Sequence, residues 1–485
     1  MSVVEILDEI LHPKSVAVVG ASGSERSWGY SYTTHLLEYG FRGKLYPVNP
    51  RYPEILGLKA YPSLLDIPGT VDYVISCVPS NLVLGMLEEC GQKQVKAVHL
   101  YTARFSETGR KDAADLEQEV LKRARKYNIR LIGPNCMGVY HPGHGMSFGY
   151  NLPKEAGTIG MLSQTGGGAA LFVRLAGKRG LRFSKVISYG NALDFSEADY
   201  LEYFTEDTET TVITVYVEGV RDGHSFFPAL RRAARKKPVI VIKGGRGEAG
   251  TRAVASHTAS LAGSLKTWEA MVTQAGAVSA ANFDEMVDLA TSFHNLPPIR
   301  GAGAGIVGGG GGPSVLAADE CEEEGLVVVP LPDEIRKELR DGGIEIWDWV
   351  SNPVDVSIIG GFGFTDLDMM RLMGSNENYH ILIGRLNENV MFTLSRGDAA
   401  DMRLKSTIEG YRQLKEEIGK PLLVVVSEDG SGSDQYGDLS GKVVSQARTD
   451  LIKAGIPFYP SMGRAARAAR KVLDYYLRKD LENGP

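Results

Sequence analysis

Residues 15–50 read SVAVVGASGSERSWGYSYTTHLLEYGFRGKLYPVNP, and the fold class follows from that run. SVAVVGAS is a Val-rich strand closing on glycine and serine, an amphipathic helical stretch follows it, and KLYPVNP is a second strand ending in Asn and Pro. Strand, helix and strand in this order form the βαβ unit of a parallel sheet covered on both faces. The alternation continues through DYVISCVP (72–79), AVHLYTA (97–103) and IRLIGPN (129–135), so residues 1–150 are expected to form a doubly wound α/β domain. Ligands of such sheets bind at the carboxyl ends of the strands, where these Gly, Pro, Asn and Ser residues collect.

A second series follows, with strands TIGMLSQ (158–164), FSKVISYG (183–190), TVITVYVEGV (211–220) and PVIVIKGG (238–245). Helical segments separate them, and FDEMVDLATSFHN (283–295) closes the series. LPPIRGAGAG (296–305) has the composition of a linker and places a boundary near 299, giving domains at 151–298 and 299–485. The third is again α/β, with strands in GAGIVGGGGGP, LVVVPLP, YHILIGRL and PLLVVVSEDG, and a basic amphipathic helix at 462–480. SQTGGGAALF (163–172) and GGGGGPSVLA (308–317) both read as a glycine loop running into a helix. Asn191-x-x-Asp194 and Asn352-x-x-Asp355 follow them in the same order, so the second and third domains are candidates for a duplication.

Composition narrows the function. The 485 residues include 57 glycines, about 12% against a usual ~7%, which suits many tight strand-to-helix loops. The formal net charge of -6 gives no global positive field for a phosphate backbone, so nucleic acid is not expected as a partner. Cys77, Cys90, Cys136 and Cys321 are scattered without disulfide or zinc-ligand spacing, no metal is expected, and a reducing cytoplasm is the expected compartment. No apolar run is long enough to span a bilayer, so no membrane partner is expected either.

The loop Gly20-Ala21-Ser22-Gly23-Ser24-Glu25-Arg26 leaves a strand and leads into a helix, so its N–H groups can receive an anion. It is not GxGxxG, and the second strand ends in Asn49-Pro50-Arg51 where a nicotinamide site would place an acid. A cation there suits a ligand with a phosphate near its ribose, as in NADP or coenzyme A; an arginine on a solvated loop is the plain alternative. Val78-Pro79-Ser80 and Asn135 should share that ligand edge, while Cys136, with no adjacent base, reads as a small buried residue. The run from Lys243 to Gly263 contains His257 in a loop of small side chains, which would let a reactive group approach. Imidazole accepts a phosphoryl group near neutral pH, and Glu218 at a neighbouring strand end could fix its tautomer.

SVAVVGAS, YPVNP, GPNCMGV, SQTGGG, YVEGVRDG, SHTASLAG and NPVD stand in one order along the chain. In this the sequence resembles the α subunit of NDP-forming acyl-CoA synthetases, the ADP-forming acetate–CoA ligase group, and more distantly the succinyl-CoA synthetase α subunit. The resemblance runs from about 8 to 475. It implies a Rossmann-like CoA-binding domain followed by two flavodoxin-like ligase domains. By the same resemblance, His257 would be phosphorylated, Glu218 would orient it, and Ser163, Thr165, Gly166 and Gly167 would hold phosphate. CoA would contact Gly20, Ser22, Gly23, Arg26, Asn49, Pro50, Arg51, Val78, Pro79 and Asn135. Such enzymes interconvert acyl-CoA, phosphate and NDP with a carboxylic acid, CoA and NTP. They need an ATP-grasp module, and this chain contains none, so a separate β subunit carrying ATP or ADP with Mg in an α2β2-type assembly is implied. Ala259, Arg104 and the asparagine-free GGGGGPS (308–314) depart from the family pattern. A CoA-binding regulator without catalysis and an NADP-dependent oxidoreductase are the rival readings.

Overall fold

The computed structural model describes residues 1–258, 264–359, 362–386, 398–426 and 437–483. It contains three five-strand parallel arrays, one per series of strands. The first sheet orders its strands Lys44–Val48, Ser15–Val19, Tyr73–Ser76, Ala97–Leu100 and Arg130–Ile132. The second runs Phe183–Ser188, Ala156–Ser163, Val212–Val217, Val239–Lys243 and Val278–Ala280, and the third Val327–Val328, Gly303–Val307, Ile381–Leu386, Leu422–Val426 and Phe458–Tyr459. Numbered in chain order, each array is 2-1-3-4-5. This order has one consequence for function. The chain leaves strand 1 toward one edge and strand 3 toward the other, which opens a crevice between their carboxyl ends.

The strands are where their side chains can be buried on both faces. Val16, Ala17 and Val18 are fully buried in the first sheet, as are Val239 and Ile240 in the second and Ile381 and Ile383 in the third. Helix starts follow local chemistry: Ser196 caps Glu197–Glu206 and Thr365 caps Asp366–Ser375, each in a reciprocal box with an aspartate three residues on.

The chain divides into two compact units, Met1–Met286, which holds the first two sheets, and Val287–Pro485, which holds the third. Three details differ from the sequence reading. Gly138–Tyr140 joins the second sheet as an antiparallel edge strand beside Phe183–Ser188. LVVVPLP yields a strand only at Val327–Val328, because Pro330 and Pro332 have no N–H to continue a ladder. The segment expected as a loop around His257 is helical over Glu248–Thr258, where alanines and an acidic first turn favour a helix. Among the described residues no helix is long and apolar enough to cross a membrane.

Candidate functional site

The crevice of the second sheet is a cavity of about 290 Å³. Its wall joins Gln164, Thr165, Gly166 and Gly167 after strand 1 to Glu218 after strand 3, and adds Tyr101, Asn135, Met137 and Asn191. Thr165 is the N-cap of the helix Gly166–Lys178 but makes no side-chain cap bond, so among the described residues no N-cap side chain takes up the first N–H groups of the helix, which starts at the cavity wall. Glycine is needed here for space. A Cβ on Gly166 would come 2.2 Å from Met137 Cγ, whereas one on Gly167 would meet nothing within 4 Å.

Glu218 is 8% exposed. The Tyr216 hydroxyl donates to its Oε1 at 3.3 Å, and burial pushes the Tyr216 phenol up to about 12, so the phenol keeps its proton at neutral pH. Its own N–H and that of Gly219 donate to Gln164 Oε1 at 2.7 and 3.1 Å, which ties the glycine loop to the acid. Lys243, paired with Val217 in the parallel register, donates through Nζ to the Glu218 carbonyl at 2.5 Å and to the Gly244 carbonyl at 2.6 Å. Burial lowers the Lys243 pKa, with the Glu218 charge opposing.

Opposite this acid, Asn191 Nδ2 donates to Glu107 Oε2 at 2.7 Å and to Glu117 Oε2 at 2.9 Å. Glu117 is 1% exposed and also accepts from Ser106 N and Oγ, which compensates a buried charge. The helix Glu248–Thr258 packs beside the Ser106–Thr108 turn. This helix includes His257, whose side chain lies outside the described residues.

The candidate CoA residues collect at the corresponding crevice of the first sheet. Gly20, at φ +88°, lies so close to the neighbouring strand end that a Cβ would meet Cys77 O at 2.9 Å and Val78 Cγ1 at 3.3 Å. Asn49 Nδ2 donates to Ala21 O at 2.6 Å and Asn49 Oδ1 accepts from Arg51 N, while Ser22 Oγ accepts from Ser24 N. Gly23, Arg26, Pro50, Arg51 and Pro79 are exposed on this edge. The two crevices share the strand end Tyr101–Ala103: the Tyr101 ring lies 4.6 Å from that of Trp28, Thr102 Oγ1 donates to Val78 O, and Thr102 O accepts from Asn135 N. Asn135 alone of the expected CoA residues lines the cavity itself.

Ser163 is placed differently. It is fully buried and its hydroxyl donates to Thr165 O at 2.7 Å, so it shapes the loop from beneath. Cys136 is 4% exposed and burial pushes its thiol up to about 12, the unreactive state expected for it. Gln164, Tyr101 and Asn191 are wall residues that the sequence reading left unassigned. Gln164 sits within the glycine motif, and Asn191 in the repeated Asn-x-x-Asp.

Residues 14–142 match the model of a CoA binding domain, and residues 156–293 that of a succinyl-CoA ligase like flavodoxin domain. The α subunit of acetate–CoA ligase (ADP-forming) II of Pyrococcus furiosus is 37% identical over 96% of this chain and 96% of its own. An acetate–CoA ligase (ADP-forming) of Methanocaldococcus jannaschii is 35% identical over 98% of this chain and 64% of its own length. Among solved structures, the dinucleotide forming acetyl-coenzyme A synthetase 1 of Ca. Korarchaeum cryptofilum, in complex with phosphate and ADP, superposes with a TM-score of 0.78. It is 30% identical, covering 98% of this chain and 97% of that one.

Proposed function

This chain belongs to the ADP-forming acetate–CoA ligase family, and we propose that it acts as the catalytic α subunit of an acyl-CoA synthetase that relays a phosphoryl group through His257. The observation that carries the reading is the cavity that joins an uncapped helix N-terminus, Thr165 to Gly167, to the buried Glu218 carboxylate. The free N–H groups suit a phosphate, and Glu218 suits an imidazole N–H.

A phosphate oxygen attacks the thioester carbonyl carbon, the C–S bond breaks, and CoA leaves as a thiol with the proton from phosphate. A ring nitrogen of His257 then takes the phosphoryl group as the bond to the acyl oxygen breaks and the free carboxylate departs. Glu218 holds the second ring N–H and balances the positive charge that develops on the ring. CoA is proposed to lie across Gly20, Ser22, Gly23, Arg26, Asn49, Pro50, Arg51 and Val78-Pro79, with Arg26 and Arg51 facing its phosphates and its thiol end directed toward Tyr101 and Asn135. We assign residues 1–150 to CoA, 151–298 to phosphoryl transfer and 299–485 to a second ligase-type domain. Transfer from His257 to a nucleoside diphosphate is assigned to an ATP-grasp β subunit that binds the nucleotide and Mg²⁺, in an α2β2-type assembly. The longer Methanocaldococcus relative leaves room for such a module in one chain.

The test is turnover of acyl-CoA thioesters with the ATP-grasp partner supplied. His257→Asn is expected to lower kcat at least a thousandfold while CoA affinity, measured by calorimetry, stays within threefold of wild type. Turnover near wild type in that variant contradicts the relay.

A further inference from the structure

We propose that His12, His141 and Glu209 form a binding site for a divalent transition ion of the zinc type, separate from the catalytic cavity. Each offers one donor atom, and the three atoms lie within 4.8 Å of one another. In a tetrahedral zinc site, with bonds of about 2.0–2.1 Å, ligand atoms stand roughly 3.3 Å apart. His141 Nε2 and Glu209 Oε2 are already 3.9 Å apart, and the Glu209 side chain is 57% exposed.

The orientation of the rings argues for a built site. His141 Nδ1 lies 3.0 Å from Leu11 O, and His12 Nδ1 lies 2.8 Å from Asp8 O. Each Nδ1–H is therefore spent on a backbone carbonyl, and each Nε2 keeps its lone pair, which is how metal-binding imidazoles are held in their ligating tautomer. His144 is not a ligand but a support. Its Nε2 lies 2.8 Å from Pro13 O and its ring stacks on that of His141 with centroids 5.6 Å apart. Lys185 Nζ contacts Glu209 at 2.5 Å, and Asp207 holds the same lysine with both oxygens at 3.2 and 3.1 Å. Asp207 can keep the lysine when Glu209 turns to an ion, and the two carboxylates exceed the lysine's charge by one.

Two imidazoles and a carboxylate suit Zn²⁺ and Co²⁺, with a water completing four-coordination. His12 ends the helix Val3–Leu11, His141 follows the edge strand Gly138–Tyr140, and Glu209 stands just before the strand Val212–Val217. An ion would tie these three distant segments together, so the role is that of a structural clip.

The experiment uses the tag-free chain stripped with a chelator, titrated with Co²⁺ by visible absorption and with Zn²⁺ against a chromophoric chelator. One equivalent is expected to bind with a micromolar or lower Kd, and to raise Tm. Glu209→Gln, at an exposed position, should weaken binding at least tenfold, and His141→Ala should abolish it, while His224→Ala, exposed elsewhere, binds as wild type does. The absence of a saturable equivalent in the wild-type chain overturns the proposal. So does unchanged affinity in both Glu209→Gln and His141→Ala.

Discussion

The two glycine loops look alike in sequence and differ in what stands beside them. Each leaves strand 1 of a 2-1-3-4-5 sheet and begins a helix, Gly166–Lys178 in one and Gly311–Glu323 in the other. At the first, a neutral Gln164 side chain binds the backbone of Glu218 and Gly219, and the helix N-terminus is left facing a cavity. At the second, Asp355 Oδ2 lies 3.6 Å from where a Gly311 Cβ would be, and Arg385 Nη1 lies 3.6 Å from that of Gly309. The start of the second helix thus has an acid and a guanidinium as its neighbours, in place of the neutral Gln164 and the cavity.

The paired asparagines diverge in the same way. Asn191 reaches Glu107 and Glu117 at the cavity, whereas Asn352 is consumed by the backbone of its own sheet, accepting from Ile306 N and donating to Ala304 O and Val329 O. A glycine loop at a strand end is therefore a permissive scaffold. The residues at the adjacent strand end decide whether it can hold an anion.

Exchanging the acids tests this contrast most strongly. Glu218→Gln is expected to lower kcat by about 10²–10⁴-fold, the range of a positioned acid–base partner, while Asp355→Asn changes it less than twofold; equal losses would erase the distinction. Gly166→Ala comes next. The clash with Met137 should reduce kcat/KM about 10- to 100-fold, or roughly 1.4–2.7 kcal/mol of transition-state stabilisation, read by steady-state kinetics.

Acid should then weaken the first unit most, although burial also lowers His294 in the second. Burial lowers His35 and His99, both in the first unit, to about 4, against a usual value of 6.5. Between those values the unfolded chain binds more protons than the folded one, so stability falls as pH drops from 6.5 toward 4, by on the order of 1–3 kcal/mol per histidine. Hydrogen exchange at pH 5 and pH 7, corrected for intrinsic rates, should show protection lost first in the sheet containing Ser15–Val19. Uniform loss across both units would contradict this. The smallest effect belongs to Gly312→Ala: a Cβ there meets nothing within 4 Å, so turnover should hold and stability should rise by roughly 0.5–1 kcal/mol, read as a slightly higher Tm.

Much of this was legible beforehand, for identifiable reasons. Strands buried on both faces appear as unbroken Val and Ile runs, and Val16 to Val18 or Val239 to Ile242 need no tertiary information to be found. Glu218 and the glycines after Ser163 were visible because strand ends carry the ligands in this class of sheet. The burial of Ser163 was not, since a serine one residue short of the loop turns inward under the helix. The three-residue edge strand Gly138–Tyr140 is too short to show a period, and its pairing is set only when the second sheet assembles. The helix through His257 was hidden because glycine, serine and threonine between 244 and 258 have the composition of a loop, although Ala249, Ala253 and Ala255 favour a helix. His12, His141 and Glu209 are scattered in sequence, so their meeting is a product of the fold alone.

The central claim is that one loop of the two serves a phosphoryl relay and that His257 carries it. Incubating the chain and the proposed ATP-grasp β subunit with labelled phosphate and acetyl-CoA, then mapping acid-labile, alkali-stable label by peptide, tests this directly. Label confined to His257, reduced in Glu218→Gln and unchanged in Asp355→Asn, is the expected result; label at another residue, or none with the partner present, would contradict the account.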